Sequence, residues 1–135
     1  MAHQVSIMWF RRDLRLSDNA ALYHALRSGR PVVPVFIFDR NILDALDDKT
    51  DRRVEFIHSA LQTMQQELQG MGCTLDVRYG FPERVWEQIL GTYDVHAVFT
   101  NHDHEPYALE RDGNIGKMLE QRGIAFRTYK DQMIF

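Results

Sequence analysis

Three polar clusters in this chain follow directly on apolar runs, where a strand end opens toward solvent. Ligands of open α/β sheets bind outside the carboxyl ends of strands, so these are the places to look for chemistry. The first cluster is Arg11-Arg12-Asp13-Leu14-Arg15, which follows Val5, Ile7, Met8, Trp9 and Phe10 and leads into Ser17-Asp18-Asn19. Arg11, Arg12 and Arg15 can bind an anion. Asp13 and Arg15 can equally pair with each other or with neighbouring loops and hold the first crossover. The second cluster is Thr100-Asn101-His102-Asp103-His104-Glu105-Pro106-Tyr107, continued by Glu110-Arg111-Asp112. Asn101, Asp103 and Glu105 alternate, so in a continuing strand they project the same way. They then offer acceptors to a planar ring bearing N–H groups; the other reading is a solvated, well-capped turn. The third is Phe36-Ile37-Phe38-Asp39-Arg40. Asp39 and Arg40 border the same crevice, and Phe36 and Phe38 either belong to the core or flank a bound ring. Arg52 and Arg53, opening the next helix, can reach that rim. Positive charge is mildly unfavourable at a helix start, which favours a use for one of them beyond solvation.

Other chemistries lack their residues. No Gly-x-Gly-x-x-Gly and no Gly-rich loop ending in Lys-Ser/Thr occurs, so a standard dinucleotide or nucleotide-triphosphate site is unsupported. His102-x-His104 with nearby carboxylates is too little for a metal site. No Ser-His-Asp, Cys-His or paired-carboxylate spacing points to covalent or acid–base catalysis. Cys73 follows Gly72 with nothing nearby to activate it.

The elements that must position these clusters alternate. Strands are expected at residues 4–10, 32–38, 74–79, 96–100 and 125–129, short and mostly rich in β-branched or aromatic residues. Asp18 or Asn19 can cap a helix running to about Ser28, with Gly29 as its stop. A long helix begins near Asp51, with Val54, Ile57, Leu61, Met64, Leu68 and Met71 in one stripe and Gly70 or Gly72 as its end. Pro82 starts a helix running to about Leu90, stopped by Gly91; another runs from about Pro106 to Arg122, stopped by Gly123. This β-α-β-α-β-α-β-α-β order specifies an α/β fold, a Rossmann-like open five-stranded parallel sheet with helices on both faces.

At 135 residues the chain is one domain, with 44% hydrophobic and 26% charged residues, as in an ordinary globular protein. No apolar stretch approaches the roughly 20 residues that span a bilayer, and residues 1–10 do not read as a signal peptide. A single cysteine fits a reducing, cytoplasmic location. A net charge of −3 argues against this piece being a main DNA-binding surface. The chain stops on Met133-Ile134-Phe135 with no polar tail, as if cut before its next element.

Four segments, in order, resemble the N-terminal domain of the photolyase/cryptochrome flavoproteins. They are residues 9–19 (Trp-Phe-Arg-Arg-Asp-Leu-Arg-Leu, then Asp-Asn), residues 34–39 (Pro-Val-Phe-Ile-Phe-Asp), residues 53–57 (Arg-Val-Glu-Phe-Ile), and residues 101–107 with Arg111-Asp112. The wording is most similar to bacterial photolyases acting on cyclobutane pyrimidine dimers. The resemblance implies that residues 1–129 are the α/β antenna domain and that residues 130–135, resembling the family at Tyr129-Lys130-Asp131-Gln132, begin the interdomain linker. It implies that a helical domain absent from this chain holds FAD and UV-damaged DNA and performs the photochemistry, so this piece alone is inactive. It further implies an antenna chromophore near Phe36, Phe38, Asp39, Arg53, Asp103 and Glu105. The folate-binding members carry an Asn-Glu pair where this chain has Tyr107 and Ala108, so an 8-hydroxy-5-deazaflavin or another flavin is the expected antenna, or none at all. The alternatives are a cryptochrome photoreceptor and, from another class, a stand-alone nucleotide-binding α/β module. Weak self-association through an exposed interdomain face, with Met133, Ile134 and Phe135 contributing, is also expected.

Overall fold

The computed structural model describes residues 4–11, 14, 16, 19–43, 52–103 and 105–130, with backbone alone at 43 and 52–54. The expectations placed on Arg12, Asp13, Arg15, Asp18, His104, Asp51, residues 131–135 and the side chains of Arg53 and Val54 lie outside those residues. The elements run β1 (Val5–Phe10), α1 (Ala20–Leu26), β2 (Val32–Asp39), α2 (Arg40–Leu43), α3 (Arg52–Gly70), β3 (Asp76–Gly80), α4 (Pro82–Thr92), β4 (Val95–Asn101), α5 (Pro106–Gln121) and β5 (Ala125–Tyr129). All strand pairs are parallel, in the order β3-β2-β1-β4-β5. This is the α/β five-stranded sheet that the alternation specifies.

The pleat sends successive side chains to opposite faces, and each face has its own core. Ile7, Trp9, Val35 and Ile37 pack with Val85, Trp86 and Ile89 of α4 and Ile115 and Leu119 of α5. Met8, Phe10 and Phe36 pack with Ala21 and Ala25 of α1 and Leu61, Met64 and Leu68 of α3. One irregularity interrupts the alternation. Val5 pairs with Val95 but Ser6 pairs with Ala97, so β4 carries an extra residue at His96. Val95 and Val98 therefore share one core while Ala97 and Phe99 share the other.

Helix ends follow local chemistry. Asn19 caps α1, its side chain accepting from Leu22 N–H at 3.1 Å. Two helices close with the same glycine device. Cys73 N–H reaches Leu68 C=O at 2.8 Å across Gly72 (φ 79°), and Ile124 N–H reaches Leu119 C=O at 2.9 Å across Gly123 (φ 74°). Met71 therefore falls beyond α3, is 63% exposed, and is not part of the apolar stripe, which ends at Leu68. Gly91 does not stop α4. The helix continues to Thr92 and ends where Tyr93 N–H bonds Ile89 C=O at 2.9 Å; a helical glycine costs only about 1 kcal/mol relative to alanine, and packing overrides it. The short α2 escapes sequence periodicity because it is a single turn, begun by Asp39 accepting from Asn41 N–H at 2.9 Å. Among the described residues no helix is long and apolar enough to cross a membrane.

Trp9 and Trp86 form the centre of one core, their rings edge to face at 5.3 Å. Trp86 is fully buried, and among the described residues its Nε1 has no hydrogen-bond partner. Trp86→Ala should cost about 3–5 kcal/mol. Trp86→Phe keeps an aromatic edge and removes an unpaired donor, so its cost should be only about 1–2 kcal/mol. Urea unfolding of the two variants measures both, and equal losses would contradict this packing.

Candidate functional site

Strand order reverses between β1, which leads outward to β2 and β3, and β4, which leads outward to β5. In doubly wound folds that reversal opens a crevice at the carboxyl edge. Here the protein's own charged side chains close it. Arg11, at the end of β1, is 8% exposed; it donates to both carboxylate oxygens of Asp112 on α5 and to Asn101 C=O at the end of β4. Arg111 Nε contacts the same Asp112 at 3.4 Å, and Arg111 Nη1 donates to Asp39 Oδ2, at the end of β2, at 3.2 Å. The two guanidinium groups lie 5.0 and 5.1 Å from the Trp9 ring centroid. Among the described residues Arg111 Nη2 has no hydrogen-bond partner, and its guanidinium is flanked by Trp9 and Tyr107 at 5.1 and 5.6 Å. Cations over aromatic faces are stabilised by the ring quadrupole.

The network extends to both sides. Tyr107 O–H donates to Asp39 Oδ2 at 2.7 Å and accepts from Asn41 Nδ2 at 2.9 Å, tying α5 to β2 and α2. Burial first, and then the hydrogen bond to Asp39, push the Tyr107 hydroxyl up to about 12. Asn101 Nδ2 donates to Asn19 Oδ1 at 2.8 Å, while Asn101 Oδ1 accepts from Ala21 N–H at 3.0 Å. The end of β4 thereby satisfies an otherwise orphan donor at the start of α1. Thr100 Oγ1 donates to Trp9 C=O at 2.8 Å, joining β4 to β1.

The candidate residues divide accordingly. Asp39 is buried, with both oxygens taken up by Tyr107, Arg111 and Asn41. Phe36 is a core residue, 5% exposed. Phe38 is half-buried and packs against Phe36 at 4.9 Å and His58 at 5.1 Å. It lines an open groove of 510 Å³ beside α3, shared with His58, Leu61, Gln62, Leu75 and Val77. Arg53 begins α3. Asp103 is half-buried and accepts from Glu105 N–H at 3.1 Å; Glu105 is exposed at the N-cap of α5. Among the described residues no group of three or more His, Cys, Asp or Glu is arranged to hold a metal. Sequence reasoning placed Tyr107 and Arg111 in a polar segment without seeing that they organise the site. Their i, i+4 spacing on a helix was the available signal, since it stacks both on one face.

The chain is a doubly wound α/β domain with a filled switch point and polar rims beside it. The family model for DNA photolyase matches residues 6–135, and the chain belongs to that family. It is similar to the deoxyribodipyrimidine photo-lyase of Synechococcus sp. (strain ATCC 27144), 34% identical over 128 residues, which cover 95% of this chain and 26% of the relative. Among solved structures, it resembles the archaeal photolyase of Sulfolobus tokodaii, which contains two FAD molecules. The TM-score is 0.86 at 35% identity, covering 94% of this chain and 29% of that one. It also resembles the cryptochrome of Synechocystis sp. PCC6803, with a TM-score of 0.88 at 28% identity over 96% of this chain and 28% of that one. The chain spans between about a fifth and a half of the length of the curated relatives it matches.

Two outcomes test the network. Arg111→Met strands a buried Asp39 carboxylate and should cost about 3–5 kcal/mol, partly recovered in the Asp39→Asn, Arg111→Met double variant. A Tyr107 pKa raised from its ordinary 10 to about 12 means full stabilisation below pH 10, where the hydroxyl is protonated in both states. Between the two values the unfolded state loses its proton first, so stability falls as pH rises. Tyr107→Phe should flatten that fall in urea titrations at alkaline pH; an unchanged slope would remove Tyr107 from the network.

Proposed function

We propose that this chain is the antenna part of a deoxyribodipyrimidine photo-lyase, a cytoplasmic enzyme repairing UV-induced cyclobutane pyrimidine dimers in DNA. The observation that carries this reading is the extent of the likeness to photolyases: nearly all of this chain against roughly a quarter of theirs, with four motifs in register. On this reading FAD and damaged DNA are held by protein beyond the matched region, and the acidic balance of the chain agrees with that. FAD bound there would supply the redox chemistry of dimer repair.

The residues of this chain have a different task, which is to hold a light-absorbing ring close to that flavin. Phe38 offers a partly accessible ring face at the end of β2. Asp103 and Glu105, on the rim after β4, are acceptors for ring N–H groups, and Arg53 supplies positive charge from the first turn of α3. Asp39 and Phe36 support these groups from below, Asp39 through α2 and Phe36 through the Phe38 ring. Their burial and existing bonds do not fit direct contact with a chromophore. Tyr107 is tied to Asp39, and Ala108 is 2% exposed, so the positions of the folate-binding pair offer nothing to a pterin. A deazaflavin or another flavin is the better match. The likeness to a cryptochrome supports a second reading, a blue-light photoreceptor built on the same domain; dimer repair by the full-length gene product separates the two.

An absorption and fluorescence spectrum of desalted protein from a deazaflavin-producing host tests the antenna role. A near-UV to blue band should be present, and the Asp103→Asn, Glu105→Gln variant should lower retained chromophore at least about tenfold, as expected when two charge-assisted hydrogen bonds are lost. The chain alone should remove no dimers under light. A band indifferent to those substitutions, or light-dependent repair by this chain, would overturn the proposal.

A further inference from the structure

The sheet edge at β3 carries a second feature, independent of the antenna. Leu75, just before β3, turns its backbone away from β2: its N–H donates to Gln65 Oε1 at 2.8 Å and its C=O accepts from Gln65 Nε2 at 3.4 Å. Extended backbone repeats every two residues, so the N–H and C=O of Val77 and Tyr79 point the same way. Among the described residues, β3 pairs only with β2. Val77 is 45% and Tyr79 62% exposed on the α3 side, beside the groove that Phe38 lines. On the α4 side, Asp76 and Arg78 form a bidentate pair with both bonds at 3.0 Å, and Tyr93 O–H donates to Asp76 at 2.7 Å. Burial pushes the Asp76 carboxyl up, but the Arg78 and Tyr93 hydrogen bonds outweigh it and hold it below the ordinary carboxylate range. Edge strands are usually protected by charge, shortness, proline or a bulge; this five-residue strand has no proline or bulge, and its two charges, Asp76 and Arg78, pair with each other on the α4 side, leaving the Val77 side apolar.

We propose that this edge is the contact between two copies of the chain, β3 pairing antiparallel with its counterpart about a two-fold axis at Val77. Charge complementarity selects the register. With the axis at Val77, Asp76 lies opposite Arg78 of the second copy, twice, and Val77 lies opposite Val77 as a hydrogen-bonded pair. Moving the axis to Arg78 would oppose guanidinium to guanidinium, an unfavourable like-charge pair. The selected register also sets Tyr79 of each copy opposite Leu75 of the other, on the side of the groove, where the Leu75 backbone stays with Gln65 and the Val77 pair carries the backbone bonds. The result is one continuous ten-stranded sheet, with the groove lined by Phe38 of each copy beside the shared edge and β5 at the two far ends.

Sedimentation velocity of the 135-residue chain from about 10 μM to 1 mM tests this, a range that populates a weak dimer. A dimer should grow in with concentration. Asp76→Arg should weaken it at least tenfold, the Asp76→Arg, Arg78→Asp swap should restore it, and Val77→Lys should abolish it, each variant being checked by thermal melting for an intact fold. A parent chain that stays monomeric throughout would overturn the proposal. So would a dimer that ignores Asp76→Arg and Val77→Lys, or one lost only on deleting residues 131–135, which would place the contact elsewhere.

Discussion

A buried chain of alternating charges, Arg11–Asp112–Arg111–Asp39, holds the carboxyl edge of this domain together. Its members come from β1, β2 and α5, and it is completed by Asn101 at the end of β4. Parallel strands joined by crossovers have no hairpins to fix one strand end against the next, so something else must do so. Here opposite charges do it across gaps that backbone bonds cannot reach. Each ion is expensive to bury alone, which makes the set cooperative: once one member leaves, its neighbour becomes an uncompensated charge in a low-dielectric site. The ring of Trp9 beneath both guanidinium groups adds attraction without asking for another hydrogen bond.

The same network decides where a ligand can be held. A dinucleotide-binding domain of this architecture leaves its switch point open and lines it with glycine so that phosphates approach the backbone. This domain fills the space with side chains and lacks the glycines. On the proposed antenna reading, a ring is held to the sides, by Phe38 and α3 on one flank and by Asp103 and Glu105 on the other. The filled centre then fixes the relative placement of the two flanks, which the proposed light-harvesting role requires, since energy transfer depends on distance and orientation.

Much of this was legible in the sequence, for identifiable reasons. The three central strands read clearly because both faces of the sheet are buried there, leaving apolar runs such as Val5 to Phe10, whereas the edge strands β3 and β5 are partly exposed. Asn19 as a cap and Gly72 and Gly123 as stops read clearly because each has one strong conformational preference. The errors are equally physical. Gly91 and Met71 were judged by local rules that tertiary packing and a helix-ending turn overrode. The single turn of α2 is too short for any periodicity. The site itself is half legible: motif order places the polar clusters at the carboxyl edge, but spacing cannot tell a carboxylate that binds a ligand from one that binds its own protein. Asp39 and Arg111 are 72 residues apart, and no local pattern announces their ion pair.

The most direct test of a closed centre with ligand-bearing flanks is an amide and arginine side-chain NMR titration of the chain with a flavin. The expected result is movement of signals from Phe38, His58, Asp103 and Glu105, while the Nε–H signals of Arg11 and Arg111 and the Trp9 indole stay in place. Displacement of the two arginine signals and the Trp9 indole, with the flanks silent, would mean that the crevice opens and that the charge network is a binding site instead of a plug.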